Sequence, residues 1–117
     1  NPTLVTDVAE NSRLVREEQF GPIVPVLKFT DIDDALRRAN DTRYGLSGSV
    51  WSKDPERAAA IAAKLEVGTA WVNQHRTTAA NIPFGGAKES GLGRVYADIG
   101  LKSYMEPRVV SVLKQPM

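Results

Sequence analysis

The chain has 117 residues, 42% hydrophobic and 25% charged, with a formal net charge of +1 and no cysteine. That length makes one domain at most and buries roughly two-thirds of the unfolded surface. The near-neutral balance argues against nucleic acid or an anionic membrane as partner, and no apolar run reaches membrane-spanning length. Without cysteine there is no disulfide, no thiolate metal site and no cysteine nucleophile within the sequence, which fits a reducing, cytoplasmic location.

In chain order, Pro2 to Val8 reads as a short strand with Leu4 and Val8 apolar. The opening on Asn1-Pro2 without an initiator Met reads as a cut piece or processed product. Glu10 to Arg13 is polar and turn-like. Ile23 to Phe29 is apolar at most positions and ends in a strand over Val26 to Phe29, with Pro25 arguing for an edge or a bulge. Thr30 is placed to cap a helix, with Asp33 three residues on, and Ile32, Ala35, Leu36 and Ala39 form its apolar stripe.

Asn40 to Gly45 ends that helix, and Leu46 to Trp51 is a second strand. Asp54-Pro55 starts another helix, since proline fits a first helical turn. Ala58, Ile61, Ala62 and Leu65 give its buried stripe, and Gly68 marks its stop. Thr69 to Asn73 is a third strand, followed by a long loop from Gln74. Tyr96 to Tyr104 reads as a short helix broken near Gly100, and Arg108 to Lys114 as a final strand. The order predicts an α/β fold: a strand–helix–strand–helix–strand three-layer unit with a long Gly-rich loop and a C-terminal strand.

Four of the nine glycines fall between Gly85 and Gly93, beside Phe84 and Lys88. Such density suits a shaped loop that other groups approach closely. Two nucleotide motifs fail here. Leu92 and Gly93 stand where a phosphate-binding loop needs Lys and Ser or Thr, and Tyr96 takes the third glycine position of G-x-G-x-x-G.

Pro83-Phe84-Gly85-Gly86-Ala87-Lys88-Glu89-Ser90-Gly91 matches every fixed position of P-F-G-G-x-K-x-S-G, and Glu18 to Pro22 matches E-x-F-G-P. The chain thereby resembles the C-terminal part of the aldehyde dehydrogenase superfamily, from about Pro2 to Lys114. The resemblance implies oxidation of an aldehyde to an acid with NAD or NADP, through attack by a cysteine thiolate and hydride transfer to the nicotinamide. It also implies that the cysteine and the dinucleotide-binding domain lie in preceding segments, so that these 117 residues alone are inactive. Residues 1–107 then form part of a catalytic domain. Residues 108–117 form a terminal strand and tail, in which Arg108 to Lys114 mediates homo-oligomer contacts.

Taken alone, Glu17-Glu18 is a solvated charge pair; by resemblance Glu18 holds the nicotinamide-side ribose, whose vicinal hydroxyls suit a carboxylate. Phe20 is a core residue beside a turn, or by resemblance a wall near the nicotinamide ring. Phe84 anchors the glycine-rich loop, or by resemblance lines the substrate end of the active site. Lys88 and Ser90 read as loop-holding hydrogen-bond donors. His75 makes no metal site by itself; it is an ordinary loop histidine or, by resemblance, borders the substrate funnel with Arg76, Thr77 and Thr78. Val95 and Ala97 depart from the Glu and Gly that follow Gly-Arg in the family, which leaves the turn there open. Two other readings remain: a small α/β module that binds nucleotides or a partner, and an assembly element whose last strand pairs with another subunit.

Overall fold

A computed structural model describes residues 1–114. The chain divides into two compact units, residues 1–42 and the remainder from Arg43.

In the first unit, β1 (Thr3–Val5) pairs in parallel with β2 (Ile23–Pro25). Between them lies α1 (Arg13–Arg16), one turn with no side-chain cap. Helix α2 (Ile32–Asn40) follows, with Leu36 buried. Its cap is Asp31, whose side chain accepts from the Asp34 N–H at 2.7 Å, and not Thr30. A carboxylate one residue nearer the helix takes the donor and carries charge favourable at that end. The strand predicted over Val26 to Phe29 lies instead at Ile23–Pro25. Register with Thr3–Val5 decides its place, and only Val26 extends it, donating its N–H to the Val5 carbonyl at 2.8 Å. Pro25 causes no conflict, since a two-stranded sheet consists of edges.

The second unit is built on β4 (Ser47–Val50), α3 (Pro55–Ala62) and β5 (Thr69–Val72). The two strands are parallel, Ser47 opposite Thr69 and Val50 opposite Val72, and α3 packs on both. Asp54 caps α3 as expected, accepting from the Arg57 N–H at 3.0 Å. Ala58, Ala62 and Trp71 are its buried hydrophobic side chains among the described residues. Preceding these, β3 (Tyr44–Gly45) pairs antiparallel with β6 (Ala87–Lys88), a two-residue strand inside the glycine-rich loop. Helix α4 (Ala97–Lys102) closes the order.

The chain is therefore mixed α/β, but its strands form three two-stranded sheets and not one three-layer unit. Strand β2, in place of the strand predicted to open that unit, pairs with β1, leaving β4 and β5 to each other. Gly100 does not break α4. It is buried within the helix, where an added Cβ would lie 2.8 Å from the Val95 carbonyl carbon. Residues 108–114 make no strand among the described residues, and Val109, Val110, Val112 and Leu113 are exposed. A β-segment needs a partner ladder, and none of the described residues offers it one. Residues 115–117 of the predicted tail lie outside the described residues.

Candidate functional site

The glycine-rich loop is held by main-chain proximity. Gly68, just before β5, sits so close to Gly85 that a Cβ would collide with the Gly85 carbonyl. A Cβ on Gly85 would lie 2.6 Å from the Gly93 carbonyl oxygen, and one on Gly86 would lie 2.6 Å from Ser90. These glycines are needed for space and not for an unusual φ. Phe84 and Val95 exchange both backbone hydrogen bonds, at 3.0 and 2.8 Å, closing the loop at its base.

Side chains complete the frame. Arg94 donates through Nη1 to the Gly86 and Gly93 carbonyls, each at 2.7 Å, a role not visible in the sequence. Lys88 is a loop-holding donor, as expected, through an ion pair with Glu66 at 2.8 Å. Ser90 acts in the opposite sense to the expectation. Its hydroxyl accepts from the Gly45 N–H at 2.8 Å, because that amide is left facing the loop at the end of β3. Phe84 is half-buried and, with Gly86, Leu92, Arg94 and Val95, lines a hollow of about 430 Å³.

The loop from Gln74 leaves β5 through a second set of clamps. Asn73, at φ 52°, accepts from the Ser52 N–H and donates to the Ser52 carbonyl, both at 2.8 Å. The Trp71 indole N–H donates to the Thr77 carbonyl at 2.9 Å. His75 meets the Trp71 ring edge-on, with centroids 5.3 Å apart, and its Nδ1 lies 3.4 Å from Ser49 Oγ. Arg76, at φ 58°, and Thr78 are exposed on the same loop. His75, Arg76 and Thr78 are thus gathered on one stretch of backbone.

Glu18 and Phe20 belong to the first unit. Phe20 is 95% exposed, and the Glu18 carboxylate is exposed with no protein partner among the described residues. Glu17 differs: it receives two hydrogen bonds from Arg13, at 2.8 and 2.9 Å, which raise the Arg13 pKa above its ordinary value. Neither Glu18 nor Phe20 lines the unit's hollow of about 340 Å³, whose apolar wall of Val15, Leu27 and Phe29 stands beside Arg16 and Arg38. No group of three or more metal-ligating side chains exists among the described residues.

These features define a mixed α/β chain built around a clamped glycine-rich loop. The aldehyde dehydrogenase family profile matches residues 1–110, and the chain belongs to that family. It is 49% identical over 111 residues to aldehyde dehydrogenase [NAD(P)+] 2 of Saccharomyces cerevisiae, covering 95% of this chain and 22% of that protein. It is 42% identical to retinaldehyde dehydrogenase 3 of Mus musculus over the same shares. Among solved structures, an NAD+ complex of aldehyde dehydrogenase from Bacillus cereus superposes with a TM-score of 0.86 at 41% identity, covering 90% of this chain and 21% of that one. Betaine aldehyde dehydrogenase from Staphylococcus aureus, also with NAD+, gives 0.86 at 38% identity, covering 97% and 24%. The chain thus spans about 22% of the length of the curated relatives it matches.

Proposed function

We propose that this chain works as the C-terminal portion of a longer NAD(P)-dependent aldehyde dehydrogenase. Residues 1–107 form part of its catalytic domain, and residues 108–117 its oligomerisation strand and tail. The observation that carries this reading is the loop. The P-F-G-G-x-K-x-S-G pattern is complete from Pro83 to Gly91, and both Gly85 and Gly86 are enforced by contacts that a Cβ would break.

On this reading Glu18 accepts hydrogen bonds from the ribose next to the nicotinamide, and Phe20 offers the ring a flat apolar face. A carboxylate without a partner among the described residues and an exposed ring fit those tasks; Glu17, engaged with Arg13, fits them less well. When bound, NAD or NADP takes up the hydride released by the aldehyde carbon. Phe84, His75, Arg76 and Thr78 line the approach of the aldehyde. The nucleophilic cysteine comes from outside this sequence, which has none. The partners are the rest of the polypeptide and a second copy through Arg108 to Lys114, in the cytoplasm. Among the described residues no helix is long and apolar enough to cross a membrane.

The test is aldehyde-dependent reduction of NAD or NADP by the purified longer polypeptide, alongside the 117-residue chain alone. Activity is expected in the first and none in the second, and Glu18→Gln in the first raises the cofactor KM. The opposite result for either protein overturns the reading. For the oligomer, light scattering on the enzyme shortened after Pro107 is expected to give a smaller assembly; an unchanged mass removes that part.

A further inference from the structure

We infer that Trp71 is a positioning residue for aldehyde selection, acting through the main chain of the loop that follows β5. The inference rests on the reading above, in which this loop faces the substrate. Trp71 is the largest of the buried hydrophobic side chains, 7% exposed, whereas residues 73–80 are all exposed. Within this chain the loop has no packing of its own, so its geometry there comes from the groups that reach it. The Trp71 indole reaches it twice, through the 2.9 Å hydrogen bond to the Thr77 carbonyl and through the edge contact with His75.

The loop's ends are clamped separately. Asn73 closes on Ser52 at the start, and the Ala97 N–H donates to the Ala80 carbonyl at 2.9 Å at the far side. Between these points lies Arg76 at φ 58°, a conformation that L side chains seldom adopt and that persists only where neighbours over-determine it. The indole N–H is the central one of those constraints. It holds Thr77, and so sets Arg76 before it and Thr78 after it, without itself standing among the exposed loop side chains.

The decisive replacement substitutes β-(3-benzothienyl)alanine for Trp71 in the longer enzyme. It keeps the fused-ring shape and removes only the N–H donor. Trp71→Phe is the second variant, and kinetics are read over aldehydes of graded size. The aldehyde KM is expected to rise about fivefold, the loss of roughly one neutral hydrogen bond. Preference among the aldehydes flattens, while kcat and the cofactor KM stay within about twofold, since the replacement leaves Glu18, Phe20 and the glycine-rich loop untouched. An unchanged aldehyde KM in the benzothienyl variant overturns the inference. So does a common shift of aldehyde KM, cofactor KM and melting temperature, which marks a merely structural role. A wild-type enzyme that oxidises no aldehyde sinks the functional reading and this inference together, and is told apart by needing no variant.

Discussion

The two units differ in how tightly their loops are fixed. In the first, long charged side chains span loops: Arg16 donates to the Glu10 carbonyl and to both the carbonyl and the carboxylate of Asp41. Arg38 reaches Glu10, the Lys28 carbonyl and Asp34. In the second, backbone lies directly on backbone, Gly68 on Gly85 and Gly86 on Ser90. A frame of long side chains can adjust when one atom moves. A frame of touching main chains cannot, because one added methyl has nowhere to go. The loop that carries the family pattern is built in the rigid manner.

The largest expected effect follows from that difference. Gly68→Ala places a Cβ on the Gly85 carbonyl, and a cost of about 3 kcal/mol or more is expected by chemical denaturation. The same change at Gly21 in the first unit meets nothing within 4 Å. It should shift stability by less than about 0.5 kcal/mol. Equal losses at the two glycines would show that main-chain contact does not distinguish the two units.

A smaller effect is expected from Arg38→Met, which keeps much of the stem and removes the guanidinium. The loss should be clearly below that of Gly68→Ala and should shrink in high salt, because such pairs are screened. The same network carries a pH dependence. The hydrogen bond from Arg37, aided by Arg38, holds the Asp34 carboxyl below its ordinary value. Its contribution is therefore present above the ordinary carboxylate range and is lost as pH falls through the lowered value. Acid titration of stability in wild type and Arg37→Met checks this, the variant losing most of the acid-side dependence; a loss appearing on the alkaline side contradicts it.

A gain, and not a loss, is expected at one strained position of the second unit. Ala97 has φ 51°, in the left-handed region that favours glycine. Ala97→Gly relieves that strain and should stabilise by roughly 0.5–1 kcal/mol, read as a raised melting temperature. A destabilised variant would show that the alanine methyl packs better than its backbone is strained.

Where local chemistry decides structure, the sequence was readable. Asp54-Pro55 announces α3, and the alternation of strand and helix from Leu46 to Asn73 appears as β4, α3 and β5. Where distant partners decide, it was not. Helix α1 has four residues and no side-chain cap, so nothing local marks it. Strand β6 exists because Ala87 and Lys88 meet Gly45 and Tyr44, far back in the chain. Ile23–Pro25 wins over Val26 to Phe29 by register with β1, which apolar content cannot foretell. The site divides similarly. The pattern from Pro83 to Gly91 was legible, but the direction of the Ser90 hydrogen bond and the task of Arg94 depend on Gly45 and Gly86 being near.

The buried hydrophobic side chains of the described residues are only Leu36, Ala58, Ala62 and Trp71, while Phe20, Trp51, Leu92, Tyr104 and Val109 stand in the open. An exposed apolar surface of that kind makes association with other polypeptide, and not further strengthening of internal contacts, the larger reserve of stability open to these residues.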